Sequence, residues 1–158
     1  MPVCVVLLRG VNVGSSHRIA MAYLRALLED VGGTDVRTYL QSGNAVLRTR
    51  RSTASLATAV AAALAGSGLP VPVMVRTVDE LARVVRNSPC EGLDPRLFQV
   101  AFLSSEPDPA AVQAIDHDAL LPERVVVGER VLYLDQRSGI RDSRAGRLRL
   151  GVEMTARN

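Results

Sequence analysis

Residues 7–16, LLRGVNVGSS, combine residue types that can hold an anion. Gly10 and Gly14 allow backbone N–H groups to approach a ligand closely, and the guanidinium of Arg9 and the amide of Asn12 are hydrogen-bond donors. A helix that begins soon after this segment would add the partial positive charge of its N-terminus. The chemistry that these residues offer is the binding of a phosphate or a carboxylate group.

The spacing within this segment differs from that of the known phosphate-binding motifs. It is one residue short of G-x-x-x-x-G-K-[ST] and lacks the lysine, and it does not have the G-x-G-x-x-G spacing. The glycines could equally serve only to let the chain leave a strand through a tight turn. From the sequence, a ligand-binding loop and a purely structural turn both stay open as interpretations.

Hydrophobic periodicity predicts the elements that position this segment. A continuous apolar run is typical of a buried strand, apolar residues at helical spacing predict helices, and Gly or a capping Ser or Thr marks their ends. The predicted elements of the first half are a strand at 3–9, a helix from Met21 to Gly32-Gly33, strands at 36–41 and 44–49, a helix from Ser52 or Thr53 to Gly66, and a strand at 71–76. This β-α-β-β-α-β order is that of the split βαβ, ferredoxin-like fold.

The second half repeats this order less completely. It has a helix with a Thr77–Glu80 capping box, a strand at 97–103, a helix that starts at Asp108-Pro109, a hairpin at 124–134 and a basic C-terminal tail. The predicted fold class is therefore α+β, with two duplicated ferredoxin-like plaits of mainly antiparallel sheets and helices packed on them. We expect domains at 1–77 and 78–158, packed together as one compact unit.

This topology predicts where the polar loops lie. In a split βαβ sheet the strand order is 4-1-3-2 and the first two strands run in the same direction. LLRGVNVGSS follows the first strand and QSGN, residues 41–44, follows the second, so both lie at the same end of the sheet, with Asn44 near Arg9 and Gly10. The predicted ligand-binding corner consists of Arg9, Gly10, Asn12, Gly14, Gln41, Ser42, Gly43 and Asn44. Secondary anion contacts are predicted at Arg18, Arg141 and Arg144.

The charges are unevenly distributed along the chain. The net charge is +4 over residues 1–51, −5 over residues 52–136 and +4 over residues 137–158, and every basic residue is an arginine. Either the basic ends pack on the acidic middle, or the two ends form one face that attracts anions. The second arrangement would suit contacts with the phosphates of a nucleic acid.

Several function classes receive no support. The composition, 47% apolar and 22% charged, is that of a globular protein, and no apolar run approaches the roughly 20 residues of a membrane span. Cys4 and Cys90 lack CxxC spacing and are expected to be reduced thiols in a cytoplasmic protein. His17 and His117 have no ligand-spaced partners, so neither a metal nor a cofactor is predicted. No catalytic constellation is recognisable, and His17 would be the one candidate base.

Phe98, Val100 and Phe102 lie on one face of a predicted strand. Such a stripe could be a base-stacking platform, as in RNA-recognition domains. Because aromatic residues make up only 3% of the chain, we expect these side chains to lie in the core instead.

The motifs LRGVNVG and YLQSGN, together with the segments MAYLRALLEDVG and AFLS, resemble the bacterial family called domain of unknown function 1697. The resemblance implies a duplicated ferredoxin-like α+β fold and brings no established reaction, cofactor or catalytic residue. The family's loop motifs coincide with the predicted corner. Two features depart from the family pattern. The segment GIRDSRAGRLRLGV is shorter than usual, with Arg144 in place of lysine and Gly146 in the expected helix. The sequence also ends at Asn158, where the family typically continues. Both imply a C-terminal element that is shortened or disordered.

The leading hypothesis is a binding domain for a small anionic ligand, such as a nucleotide or phosphate, at this corner. The alternatives are a nucleic-acid-associated module that uses the basic ends and an enzyme of unrecognised type. The sequence predicts no membrane contact and makes no prediction about the oligomeric state.

Overall fold

The computed structural model describes residues 1–158, which form two compact units, Met1–Arg83 and Val84–Asn158. Each unit contains one four-stranded antiparallel sheet, and the chain has five α-helices, which confirms the predicted α+β class. No helix has both the length and the apolar character that crossing a membrane requires.

The first unit follows the predicted order of elements. Its elements are β1 (Val3–Leu8), α1 (Met21–Asp30), β2 (Thr34–Tyr39), β3 (Asn44–Arg48), α2 (Thr53–Gly66) and β4 (Val73–Thr77), and α3 (Val78–Arg86) contains the division between the units. The strands lie in the order β2-β3-β1-β4, as the sequence predicts. Leu7 of β1 is paired with Asn44 of β3, so the end of β1 lies beside the start of β3.

Alternate side chains of β1 pack against α1 and α2. Cys4, Val6 and Leu8 belong to a cluster that also contains the buried leucines of α1 and α2. Each fully buried leucine of this kind contributes about 1.5–3 kcal/mol through the hydrophobic effect. Because β1 is a central strand that packs under both helices, the position of its C-terminal end is fixed, and the loop that follows starts from a rigid point.

The second unit has the same strand order as the first. Its elements are β5 (Phe98–Leu103), α4 (Pro109–Gln113), α5 (His117–Leu120), β6 (Arg124–Gly128), β7 (Val131–Asp135), a 3-10 turn (Ala145–Arg147) and β8 (Met154–Arg157). The sheet order is β6-β7-β5-β8. The strands are all antiparallel, and the helical segments are short.

The helix predicted from Asp108 is divided in two. The Asp108 carboxylate accepts the Ala110 N–H at 2.9 Å and so caps α4, as the Asp-Pro pair predicts. Asp116 caps α5 in the same way by accepting the Ala119 N–H at 2.9 Å. An aspartate favours a helix start over a helix interior, so the second aspartate separates α4 from α5.

The basic tail contains a strand that the sequence prediction missed. In β8, Ala156 pairs with Ala101 of β5, and the helix implied by the family resemblance is replaced by the 3-10 turn. Gly146 suits this tight turn because a Cβ at this position would lie 2.7 Å from Nε2 of Gln136. The tail is therefore part of the second sheet.

A buried carboxylate fixes the start of this turn. Glu123 is 1% exposed and accepts hydrogen bonds from Ser143 Oγ at 2.8 Å, the Ala145 N–H at 2.8 Å and the Arg144 N–H at 3.3 Å. Burial alone would raise the pKa of this carboxyl group, but these bonds and one from Ser138 outweigh it and lower the pKa. The ionised carboxylate therefore stabilises the folded tail.

Candidate functional site

The end of β1 and the turn between β2 and β3 pack directly on each other. The Leu8 N–H donates to the Gly43 carbonyl at 2.9 Å, and the Arg9 N–H donates to the Pro72 carbonyl at 3.0 Å. Gly43 has a φ of +74°, and a Cβ there would lie 2.5 Å from Cγ2 of Val11 and 2.7 Å from Cβ of Leu8. Glycine at this position therefore serves packing as well as turn geometry.

Asn12 ties three segments together with its side chain. Its Nδ2 donates to the carbonyl of Ile19 at 2.9 Å and to the carbonyl of Gln41 at 2.8 Å, and its Oδ1 accepts the Ile19 N–H at 2.9 Å. Two carbonyls and one N–H group determine which amide atom is nitrogen and which is oxygen. The amide thus joins the two ends of the loop to the turn between β2 and β3.

Between these anchor points the chain forms a small hairpin. The Asn12 N–H donates to the His17 carbonyl at 3.0 Å, and Val13 and Ser16 form an isolated antiparallel bridge. The residues at 13–18 are all exposed. We call residues 13–18 the tip. It projects polar side chains and backbone groups into solvent from a base that Asn12 holds.

Every second residue of the segment 10–14 has a left-handed backbone conformation. φ is +65° at Gly10, +55° at Asn12 and +64° at Gly14, and neither Val11 nor Val13 has a positive φ. Backbone N–H groups in turns that contain left-handed residues can form concave anion-binding nests. A Cβ built on Gly10 or Gly14 would meet no atom within 4 Å, so the space beside both glycines is open.

The other predicted donors in the turn serve the turn itself. Nδ2 of Asn44 donates to Ser42 Oγ at 2.8 Å and to the Tyr39 carbonyl at 3.4 Å. Gln41 contributes its backbone carbonyl to Asn12, while its side chain is exposed. The structure thus brings the predicted segments 9–14 and 41–44 together, and it uses the side chains of Asn12 and Asn44 as framework.

The N-terminus of α1 adjoins the tip and lacks a capping side chain. Ala20 occupies the N-cap position, and the first helical bond runs from the Leu24 N–H to the Ala20 carbonyl. The first-turn N–H groups of a helix have no intrahelical acceptor. Ser15 and Ser16 were missing from the predicted site although both are exposed at the tip. In the sequence, Ala20 occupies the position before the helix where a capping residue is usual, and this alanine indicates that the first-turn N–H groups have no side-chain acceptor.

The predicted secondary contacts Arg141 and Arg144 lie in the second unit, in the segment that precedes β8. Arg144 Nη1 donates to the Ala119 carbonyl at 2.6 Å, and Arg147 Nη2 donates to the Arg141 carbonyl at 2.9 Å. The guanidinium groups of Arg144 and Arg147 therefore hold the tail in place, and Arg141 takes part through its backbone carbonyl. No group of three or more His, Cys, Asp or Glu side chains is arranged to hold a metal ion.

Comparison with known proteins gives a family and a fold. The model of a family described as a protein of unknown function, DUF1697, matches residues 1–133. The structure of the conserved bacterial protein SP0830 from Streptococcus pneumoniae is similar, with a TM-score of 0.80 and 20% sequence identity over 100% of this chain and 92% of that one. No curated protein matches the sequence significantly. At this identity the likeness to the solved structure concerns the fold alone.

Proposed function

We propose that this chain, which belongs to the DUF1697 family of proteins of unknown function, binds a small anionic ligand at the corner formed by residues 9–14 and 41–44. The ligand class is inorganic phosphate or the phosphate group of a nucleotide. The observation that carries the proposal is the alternating backbone of residues 10–14, which Asn12 locks in place and which faces open space at Gly10 and Gly14.

Two groups of residues have different roles in this proposal. Asn12, Ser42, Gly43 and Asn44 are framework, because their side chains or close packing are engaged within the corner. The proposed anion contacts are the N–H groups of Gly10, Val11 and Gly14 with Arg9 and Arg18, which adjoin the loop on either side, because the Asn12 N–H is engaged by the His17 carbonyl. A site whose shape exists before the ligand arrives loses less conformational entropy on binding.

The charge of the first unit supports an anionic ligand. Met1–Arg83 contains nine arginines and five acidic residues, a net charge of +4. An excess of positive charge raises the local concentration of anions and their rate of association. The uncapped start of α1 adds a partial positive charge beside the tip.

The fold and the location belong to the same proposal. We interpret the predicted domains 1–77 and 78–158 as duplicated ferredoxin-like plaits, because the sheets that they contain have the same strand order. In the second plait the 3-10 turn (Ala145–Arg147) stands where the first has α2. Free thiols at Cys4 and Cys90 support the cytoplasm as the location.

Calorimetric titration of the full chain with inorganic phosphate and with nucleoside mono-, di- and triphosphates tests the site. Arg18→Ala should weaken binding about tenfold, the effect of removing one charge-assisted hydrogen bond. Arg50→Ala is the matched control, because Arg50 is also exposed but follows the end of β3 that is opposite the corner. Equal affinities for wild type, Arg18→Ala and Arg9→Ala, or the lack of saturable binding, would contradict the proposal.

The nucleic-acid alternative predicts a different result in the same experiment. A single-stranded oligonucleotide bound by the basic N- and C-terminal segments would lose affinity steeply as the salt concentration rises. Binding would then depend on the exposed Arg141 and Arg149 of the C-terminal segment as well as on Arg18. The small-anion site predicts that Arg141→Ala and Arg149→Ala leave binding unchanged.

A further inference from the structure

The second unit contains a cavity of about 130 Å³ on the face of its sheet. Pro89 and Leu93, from the segment before β5, line it together with Phe98, Val126 and Tyr133 from three adjacent strands. Tyr133 is the cross-strand partner of Val126, so their side chains lie on the same face. This is the face opposite the cluster that packs under α4 and α5.

Two aromatic rings form part of this cavity. The ring centroids of Phe98 and Tyr133 are 6.4 Å apart and the ring planes differ by 20°. The Tyr133 hydroxyl donates to the Val84 carbonyl at 2.9 Å, which fixes the orientation of this ring. Tyr133 is buried and packs against Phe98, which is only partly buried, so the ring of Phe98 is the accessible one for stacking with another planar ring.

The size of the cavity limits what it can hold. A cavity of ~150 Å³ is enough for a benzene ring, whereas pockets for whole drug-sized ligands begin at about 300 Å³. At about 130 Å³ the cavity is slightly smaller than the one that holds benzene, so it admits a single six-membered ring, or one ring of a purine, with the rest of the ligand outside it.

A donor and an acceptor lie side by side at one edge of the cavity. Arg124 of β6 is the cross-strand partner of Asp135 of β7, and both line the cavity. Arg137 Nε donates to Oδ2 of Asp135 at 2.8 Å, and an ionised carboxylate retains further acceptor positions. A guanidinium donor next to a carboxylate acceptor matches the edge of a nucleobase, where an amino or N–H group neighbours a carbonyl or ring nitrogen.

We propose that this cavity binds the base of a free nucleotide, with its phosphate outside the cavity near Arg124 and Arg137. Two arginines and one aspartate give the edge a net charge of +1, which favours an anionic ligand over a cationic aromatic one. The unit Val84–Asn158 has ten arginines and eleven acidic residues. A net charge of −1 does not favour a polyanion, so the ligand is a mononucleotide and not a nucleic-acid strand.

Tyrosine fluorescence can observe this site directly. The chain has no tryptophan and three tyrosines, and Tyr23 and Tyr39 belong to the first unit. In the full-length double variant Tyr23→Phe/Tyr39→Phe, Tyr133 is the single fluorophore. Titration with the four common nucleoside monophosphates should quench it saturably, at one equivalent, for at least one base. Ribose 5-phosphate, which has no base, should have no effect.

Matched variants in this background separate the cavity from the corner. Arg124→Ala should weaken the quenching ligand about tenfold or more, and Val126→Phe should abolish binding by filling the cavity from a partly exposed strand position. Arg149→Ala and Arg50→Ala, which replace exposed arginines outside both the cavity and the corner, should not change the affinity. Because absorption by the nucleotide is the same for all variants, their comparison corrects for it.

Several outcomes would overturn the inference. They are the lack of saturable quenching, quenching that is equal in wild-type and Arg124→Ala backgrounds, quenching by ribose 5-phosphate, and binding of a single-stranded hexanucleotide without binding of any mononucleotide. Loss of binding in Arg18→Ala with retention in Arg124→Ala would assign the nucleotide to the corner alone. The proposed function of the corner does not depend on any of these results at the cavity.

Discussion

Replacement of Asn12 tests whether its amide holds the corner together. Asn12→Ala removes three hydrogen bonds, two to carbonyls and one from the Ile19 N–H, with lengths of 2.8–2.9 Å. It also places alanine, whose Cβ disfavours the left-handed conformation, at a φ of +55°. Asn12→Gly is the matched variant, because it removes the same hydrogen bonds but tolerates the left-handed conformation.

The expected loss of stability follows from these contacts. A neutral hydrogen bond contributes about 0.5–1.5 kcal/mol, and water can replace part of the contribution at this partly exposed site. Three bonds therefore amount to about 2 kcal/mol. The left-handed conformation adds roughly 1 kcal/mol for alanine and nothing for glycine. We expect the free energy of unfolding of the first unit to fall by about 3 kcal/mol in Asn12→Ala and by about 2 kcal/mol in Asn12→Gly.

Urea denaturation followed by circular dichroism measures these losses, and amide hydrogen exchange locates them. The Ile19 N–H should exchange faster in both variants because its acceptor, Oδ1 of Asn12, is removed. Asn12→Asp should be more destabilising than Asn12→Gly, since a carboxylate would face two carbonyl oxygens. Stability within about 0.5 kcal/mol of wild type for both Asn12→Ala and Asn12→Gly would refute the assigned role.

Three further changes have defined outcomes. Gly43→Ala should destabilise the first unit by about 3 kcal/mol, because the new Cβ would lie 2.5 Å from Val11 Cγ2 at a φ of +74°; a fully stable variant in urea would contradict this packing. The folded-state pKa of Glu123 is lowered from 4.5, so its stabilisation is present above the unfolded-state pKa and is lost as the pH falls through the folded-state value. Glu123→Gln should therefore be less stable at neutral pH and flatten the acid dependence of unfolding, and an unchanged pH profile would count against the buried carboxylate. Cys90 is exposed whereas Cys4 is buried, and burial raises the pKa of the Cys4 thiol. A thiol reagent should therefore modify one cysteine in the native protein and two after denaturation. Rapid modification of both cysteines in the native protein would contradict the burial of Cys4.

Local patterns were sufficient to predict most of the fold. The apolar run at the start of the chain, the Asp108-Pro109 helix start and the glycines after α1 each act over a few residues, and each is found in the structure. The strand β8 was missed because Met154–Arg157 is short and lies in a basic stretch. Its pairing with β5 is a contact between distant parts of the chain, which no local pattern reveals.

The sequence predicted which segments meet at the corner but not which side chains are engaged within it. Topology places residues 9–14 and 41–44 at one end of the sheet because β1 and β2 both run antiparallel to β3. The sequence counted the amide of Asn12 as a ligand donor, whereas the structure uses it on Gln41 and Ile19. The sequence shows which residues at the corner carry hydrogen-bond donors. Only the tertiary structure shows which of these donors already bind other parts of the protein.

The most direct test of the anion site is a titration of the isotope-labelled full chain with inorganic phosphate, followed by amide chemical shifts. The account predicts saturable shifts for the N–H groups of residues 10–18, which form the alternating backbone and the tip. In Arg18→Ala these shifts should need about tenfold more phosphate to saturate, whereas Arg50→Ala should titrate like wild type. A titration that leaves residues 10–18 unshifted, while Gly43 and Asn44 keep the chemical shifts of a folded corner, would contradict the central claim.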